Sequence, residues 1–237
     1  MQRVYMDHSA TTPVAPEVAE VMVEALTNGW GNPSSLHTPG KAARAILDKA
    51  RKQVADLIGA DPQEIVFTSG GTEADNLAII GSALAGQGRG RHMITSAIEH
   101  HAVLHTFRHL AQSGFEVTVL PVDFYGRVNP EHLLKMIRKD TILISIMHAN
   151  NEIGTVQPIE EIGQIARERG ITLHTDAVQS TGRIPVKVEE LQVDLLSLSA
   201  HKFYGPKGAG ALYIRSGVNL VPLAYGGGQE RKWRSGT

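Results

Sequence analysis

The chain is 237 residues long and close to neutral, with 23 Lys+Arg against 24 Asp+Glu, so it offers no basic field to a nucleic acid or an acidic membrane surface. At 42% hydrophobic and 20% charged residues, its composition is that of a globular protein and excludes intrinsic disorder. It contains no cysteine, which removes disulfides, thiolate metal sites and a nucleophilic thiol from these residues.

The first twelve residues lack an apolar stretch behind a basic one, and no run approaches the length of a membrane span, so a soluble cytoplasmic protein is the expectation. Helical periodicity covers residues 16–26 and 41–58. A β-branched run at 65–68 leads through a Gly-rich turn into a helix over 72–84. Strand and helix then alternate: strands at 93–95, 117–120, 142–146 and 171–174, helices at 101–112, 130–138 and 159–169, the last stopped by Gly170. Two further strands, 195–198 and 211–214, close the series. This rhythm predicts an α/β fold, a mainly parallel seven-stranded sheet with helices on both faces. Only a short loop joins the last two strands, which are therefore expected to be antiparallel or non-adjacent.

Ligands of such sheets sit beyond the carboxyl ends of the strands. The residues found there are Ser69-Gly70-Gly71-Thr72, Glu99-His100, Asn150-Asn151, Asp176 to Gln179 and Ser199-Ala200-His201-Lys202. Gly70 and Gly71 let the backbone approach an anion at a helix N-terminus, a phosphate cup that is neither G-x-G-x-x-G nor a Walker loop. The plainer reading is an ordinary βα turn, with Thr72 and Asp75 as a capping box. Asp176 at the floor of the crevice needs a cation such as a pyridinium nitrogen, or else it caps its own turn. Lys202 directly after a buried strand is costly unless its amine is neutralised, as a Schiff base would do. His100 can stack on a ring or carry a proton. His101, His105 and His109 recur every four residues, but no carboxylate completes a metal set, so they read as a polar helix face. Asn150, Asn151 and Gln179 suit either turn formation or a ring hydroxyl.

Together with Asp7-His8-Ser9-Ala10-Thr11-Thr12, Gly31-Asn32-Pro33-Ser34-Ser35 and Arg234-Ser235-Gly236-Thr237, these segments resemble, in order along the whole chain, the cysteine desulfurases of the NifS/IscS type. The resemblance implies a homodimeric fold-type I pyridoxal 5'-phosphate enzyme. Such an enzyme takes sulfur from L-cysteine, leaves L-alanine and passes a persulfide to a sulfur acceptor or iron–sulfur scaffold protein for cluster and thio-cofactor assembly. By the same resemblance Lys202 would form the Schiff base and move protons at the substrate Cα. Asp176 would keep the ring nitrogen protonated, and His100 would stack on the ring and act on the substrate thiol. Gly71, Thr72, Ser199 and His201 would bind the phosphate, with Thr237 reaching it across the dimer, while Asn151 and Gln179 would contact the ring hydroxyl region.

The family's acceptor cysteine and carboxylate-binding arginine lie further along than Thr237. The expectation is therefore a large domain over 16–237, with residues 1–15 joining a small C-terminal domain outside this chain, and no persulfide turnover by these residues alone. A selenocysteine lyase, another class V aminotransferase or a non-catalytic partner-binding scaffold could share nearly all of these motifs.

Overall fold

In the computed structural model, which describes residues 4–236, the apolar runs assemble into one seven-stranded sheet. The strands are β1 (Ile65–Thr68), β2 (His92–Ser96), β3 (Glu116–Leu120), β4 (Thr141–Ser145), β5 (Thr172–Asp176), β6 (Leu195–Ser199) and β7 (Gly210–Ile214). Their spatial order is β1-β7-β6-β5-β4-β2-β3. The five strands from β6 to β3 run parallel, and β7 is antiparallel to both neighbours, β6 and β1. The short 200–209 connection thus forms an antiparallel pair, since a parallel return would need a longer crossover. The second antiparallel pair, β1 with β7, follows from β7 inserting between the first strand and the rest.

The helices are α1 (Pro16–Asn28), α2 (Thr38–Ile58), α3 (Gly71–Gly86), α4 (His101–Gln112), α5 (Pro130–Met136), α6 (Ile159–Glu168) and α7 (Val188–Leu191). Side chains alternate across each strand, so one strand feeds two cores. Ile144 of β4 belongs to the same core as Ile58 of α2, Leu133 of α5 and Ile162 of α6, whereas its neighbour Leu143 belongs to the opposite core, with Ile79 of α3 and Phe107 of α4. The result is three layers, helix on sheet on helix. Helix α1 buries none of its residues and leaves Val21, Val23 and Leu26 exposed.

Two local expectations are corrected, and one element, the one-turn helix α7, is too short to show a period in the sequence. Strand β5 runs on to Asp176, making that residue the last of the strand rather than the first beyond it. Thr72 and Asp75 form no capping box: the N-cap of α3 is Gly70, with no side-chain cap, and Asp75 is buried under the helix.

A buried ion pair ties the last part of the chain to the sheet. Arg51 of α2 grips Glu230 through two hydrogen bonds of 2.7 and 2.9 Å, and Glu230 also accepts the Phe67 N–H at 2.9 Å. Beside it, Arg234 donates to Glu73 at 2.8 Å.

Candidate active site

The strand ends of β1, β5 and β6 and the loops after β2 and β4 surround a cavity of about 470 Å³. Its wall is formed by the start of α3. Gly70 there has φ +151 and ψ −177, a conformation that β-carbon-bearing residues essentially never adopt, and it sets Gly71 as the first residue of the helix. A Cβ on Gly71 would stand 2.7 Å from Val178 Cγ2, so glycine allows the helix start to close on the turn after β5. Gly210 is as tightly constrained, since its Cβ would lie 2.6 Å from Gly70 Cα and 2.8 Å from the Leu198 carbonyl. The first backbone N–H groups of α3, Thr72, Ser199 and His201 therefore share one concave wall, which suits an anion.

Asp176 forms the floor. It is 5% exposed, and its Oδ1 accepts the Val178 N–H at 2.9 Å. The turn-capping and cavity-facing readings are thus both true of it. Burial pushes its carboxyl above the usual range, and the Val178 N–H, His100 and Lys202 pull it back. Lys202 lies in the single turn Ala200–Lys202 that follows β6. Its Nζ donates to the carbonyls of Ser9 at 2.5 Å and Ala10 at 3.0 Å, which hold it over the cavity. Burial lowers its amine below the ordinary lysine value, with the Asp176 charge opposing.

His100 is the N-cap of α4; its Nδ1 accepts the Ala102 N–H at 3.1 Å, so the ring's proton resides on Nε2. Asn151 and Gln179 both line the cavity, and the Gln179 amide donates to the Ser9 carbonyl at 2.8 Å. Asn150, by contrast, folds its own turn: its Oδ1 accepts from Glu152 N and Ile153 N, and its amide donates to the Ile98 carbonyl. Of the ten residues named as cofactor-binding, nine line this one cavity, and Thr237 lies outside the described residues.

Sequence reasoning missed several neighbours. Ser9 and Ala10 of the N-terminal segment reach the site because Thr12 N bonds to the His201 carbonyl at 2.9 Å and Ala15 N to the Tyr204 carbonyl at 3.0 Å. Glu99 is buried beneath the turn before α4, where it meets the Ser96 hydroxyl at 2.5 Å and the Met147 N–H at 3.0 Å, and burial pushes it up to about 8. Asp75 and His174 lie behind Asp176. One signal was available for them: His174 and Asp176 are two apart on β5 and so share a face.

The chain belongs to the aminotransferase class-V family, whose profile matches residues 4–235. Within it, the chain is 61% identical over 234 residues to the cysteine desulfurase IscS of Methanosarcina thermophila, covering 99% of this chain and 58% of that protein. The structure described as SspA in complex with cysteine superposes with a TM-score of 0.96 at 46% identity, covering 99% of this chain and 68% of that one. A NifS-like protein gives the same TM-score at 47% identity, covering 100% of this chain and 65% of that one. The resemblance to NifS/IscS-type cysteine desulfurases is thereby borne out. The chain spans about 60% of the length of curated relatives such as that of Dictyoglomus turgidum.

Proposed function

We propose that these residues are the cofactor-binding domain of a pyridoxal-phosphate-dependent cysteine desulfurase that converts L-cysteine to L-alanine and delivers the sulfur as a persulfide for iron–sulfur cluster and thio-cofactor assembly. The observation that carries this reading is the meeting of an amine, a buried carboxyl and a glycine-opened helix N-terminus around one cavity. The donor set fits the coenzyme: the start of α3 with Gly71, Thr72, Ser199 and His201 for the phosphate, Asp176 for the ring nitrogen, His100 for the ring face, and Asn151 and Gln179 for the hydroxyl side. When bound, pyridoxal phosphate supplies an electron sink for the substrate's Cα.

The protein's part follows from its own groups. Desolvation leaves more of Lys202 as the neutral amine, the form that attacks a carbonyl and accepts a proton. Asp176 would hold the ring nitrogen, whose positive charge would favour its ionised form against the cost of burial. His100, with Nδ1 engaged by the Ala102 N–H, uses Nε2 to exchange a proton with the substrate thiol. Because the chain has no cysteine, the persulfide forms on a thiol outside these residues. We further place the protein in the cytoplasm as a homodimer, with residues 1–15 joining a second, smaller domain, Thr237 of the partner subunit completing the phosphate site, and a sulfur-acceptor or scaffold protein as partner.

Equilibrium dialysis against pyridoxal phosphate tests the assignment of the site. Saturable binding of one molecule per chain is expected, weakened about tenfold or more by Asp176→Ala, which corresponds to about 1.4 kcal/mol. L-cysteine added to the loaded chain should change its visible absorption, whereas D-cysteine should not. Equal retention by the wild type and the variant, or no retention at all, would refute the reading.

A further inference from the structure

Asp75 has no place in the chemistry above, yet it is 1% exposed and opens onto the same cavity as Asp176. It sits on α3 among the buried apolar residues Ala74, Leu77 and Ala78, where an ionised carboxylate requires a cation. None is available among the described residues. The nearest candidate is His174, whose Nε2 lies 3.6 Å from Asp75 Oδ1. Both ring nitrogens of His174 are already committed, Nδ1 to Ser145 Oγ at 2.8 Å and Nε2 to Ser197 Oγ at 3.0 Å, and full burial holds its pKa down to about 3. His174 is therefore neutral, and Asp75 Oδ1 has no conventional hydrogen-bond donor.

The other groups facing Asp75 are the Ser197 hydroxyl on β6, Asp176 on β5 and Glu99 below the start of α4, the last two of which repel its charge. Two buried carboxyls in one site cannot both ionise, and the environment decides which keeps the proton. Asp176 has the Val178 N–H, His100 and Lys202 to support a charge, and Asp75 has none of these.

We propose that Asp75 is a positioning residue for Asp176: it remains a neutral carboxylic acid, closes the floor behind Asp176 against water, and leaves the single negative charge of the pair on the oxygen atoms that meet the ring nitrogen. The inference rests on the cofactor reading above, and Asp75 acts through Asp176 rather than on the coenzyme. Like charges confined to one buried site give the pair two well-separated protonation steps, and on this proposal the charge left by the first lies mainly on Asp176.

Carbon-13 NMR of the aspartate carboxyls in the cofactor-free chain tests the protonation directly. The Asp75 carbon should report a protonated acid through pH 7, and Asp75→Asn should move the Asp176 midpoint by less than about half a pH unit. An ionised Asp75 at pH 7, or an Asp176 midpoint falling by about one unit or more in Asp75→Asn, would overturn the proposal, because either result means that a like charge was present. With pyridoxal phosphate bound, the pH midpoint of the visible absorption should match the wild type in Asp75→Asn and shift by about one unit or more in Asp75→Leu. A midpoint identical in all three would overturn the positioning role. A wild-type chain that binds no pyridoxal phosphate would sink the cofactor reading instead, while the carbon-13 result still decides the state of Asp75.

Discussion

Replacing Glu99 with glutamine should make the protein more stable, and increasingly so as pH rises. Glu99 is 5% exposed and burial pushes its carboxyl from 4.5 to about 8, so near neutrality it is a protonated acid. Its contacts, the Ser96 hydroxyl and the Met147 N–H both donating to its oxygens, favour the ionised form, and desolvation outweighs them. The amide of glutamine keeps one oxygen to accept the Met147 N–H, can donate to the Ser96 hydroxyl oxygen, and carries no titrating proton. The folded state binds more protons at this site than the unfolded chain does between pH 4.5 and about 8, so the stability associated with Glu99 is intact below about 4.5 and is lost as pH climbs through that window. A difference of about 3.5 pH units at about 1.36 kcal/mol each sets the full loss on the order of 5 kcal/mol. Urea unfolding of the cofactor-free chain at pH 5, 7 and 9 measures it. The advantage of Glu99→Gln over the wild type should be small at pH 5 and reach several kcal/mol at pH 9. The raised carboxyls of Asp75 and Asp176 add the same sign of slope to both proteins, and because the Glu99 charge itself raises Asp75, its removal flattens that slope in Glu99→Gln and adds to the advantage. Parallel stability curves for the two proteins would refute the reasoning.

Two other substitutions probe the frame of the site. Glu230→Gln leaves the Arg51 guanidinium buried against a neutral partner and should cost about 3–5 kcal/mol in urea unfolding, with part recovered by adding Arg51→Met; a loss below about 1 kcal/mol would show that the pair holds nothing. Gly210→Ala presses a methyl group against the Gly70 backbone and the Leu198 carbonyl, for a destabilisation of about 1–3 kcal/mol with weakened phosphate binding at the start of α3. An unchanged melting curve and unchanged inorganic phosphate affinity would contradict the close approach described there.

Much of this architecture is written locally. The alternation of β-branched runs with helical periods marks all seven strands, because a strand buried on both faces must be apolar nearly throughout, as Ile142 to Ser145 is. Lys202, Asp176 and Gly71 are legible for a related reason, since each breaks an apolar or regular pattern at a strand end. What could not be read depends on contacts between distant segments. The insertion of β7 between β1 and β6 is set by long-range pairing, and Ser9 reaches Lys202 only because Thr12 docks on His201. Asp75 was mistaken for a capping residue since its spacing from Thr72 fits that motif, whereas Gly70, with its unusual backbone angles, starts the helix one residue earlier and turns Asp75 inward. Glu99 carries no local sign of its shifted acidity, which arises from burial first and then from the charge of distant Asp176.

The direct test of the account is to incubate the chain with pyridoxal phosphate, reduce it with borohydride and locate the modification by peptide mass mapping. A single pyridoxyl group on Lys202, absent in Lys202→Ala and formed more readily as pH rises toward the lowered amine value, is the expected result. Labelling spread over the surface lysines, with Lys202 no more reactive than Lys207 or Lys41, would contradict it.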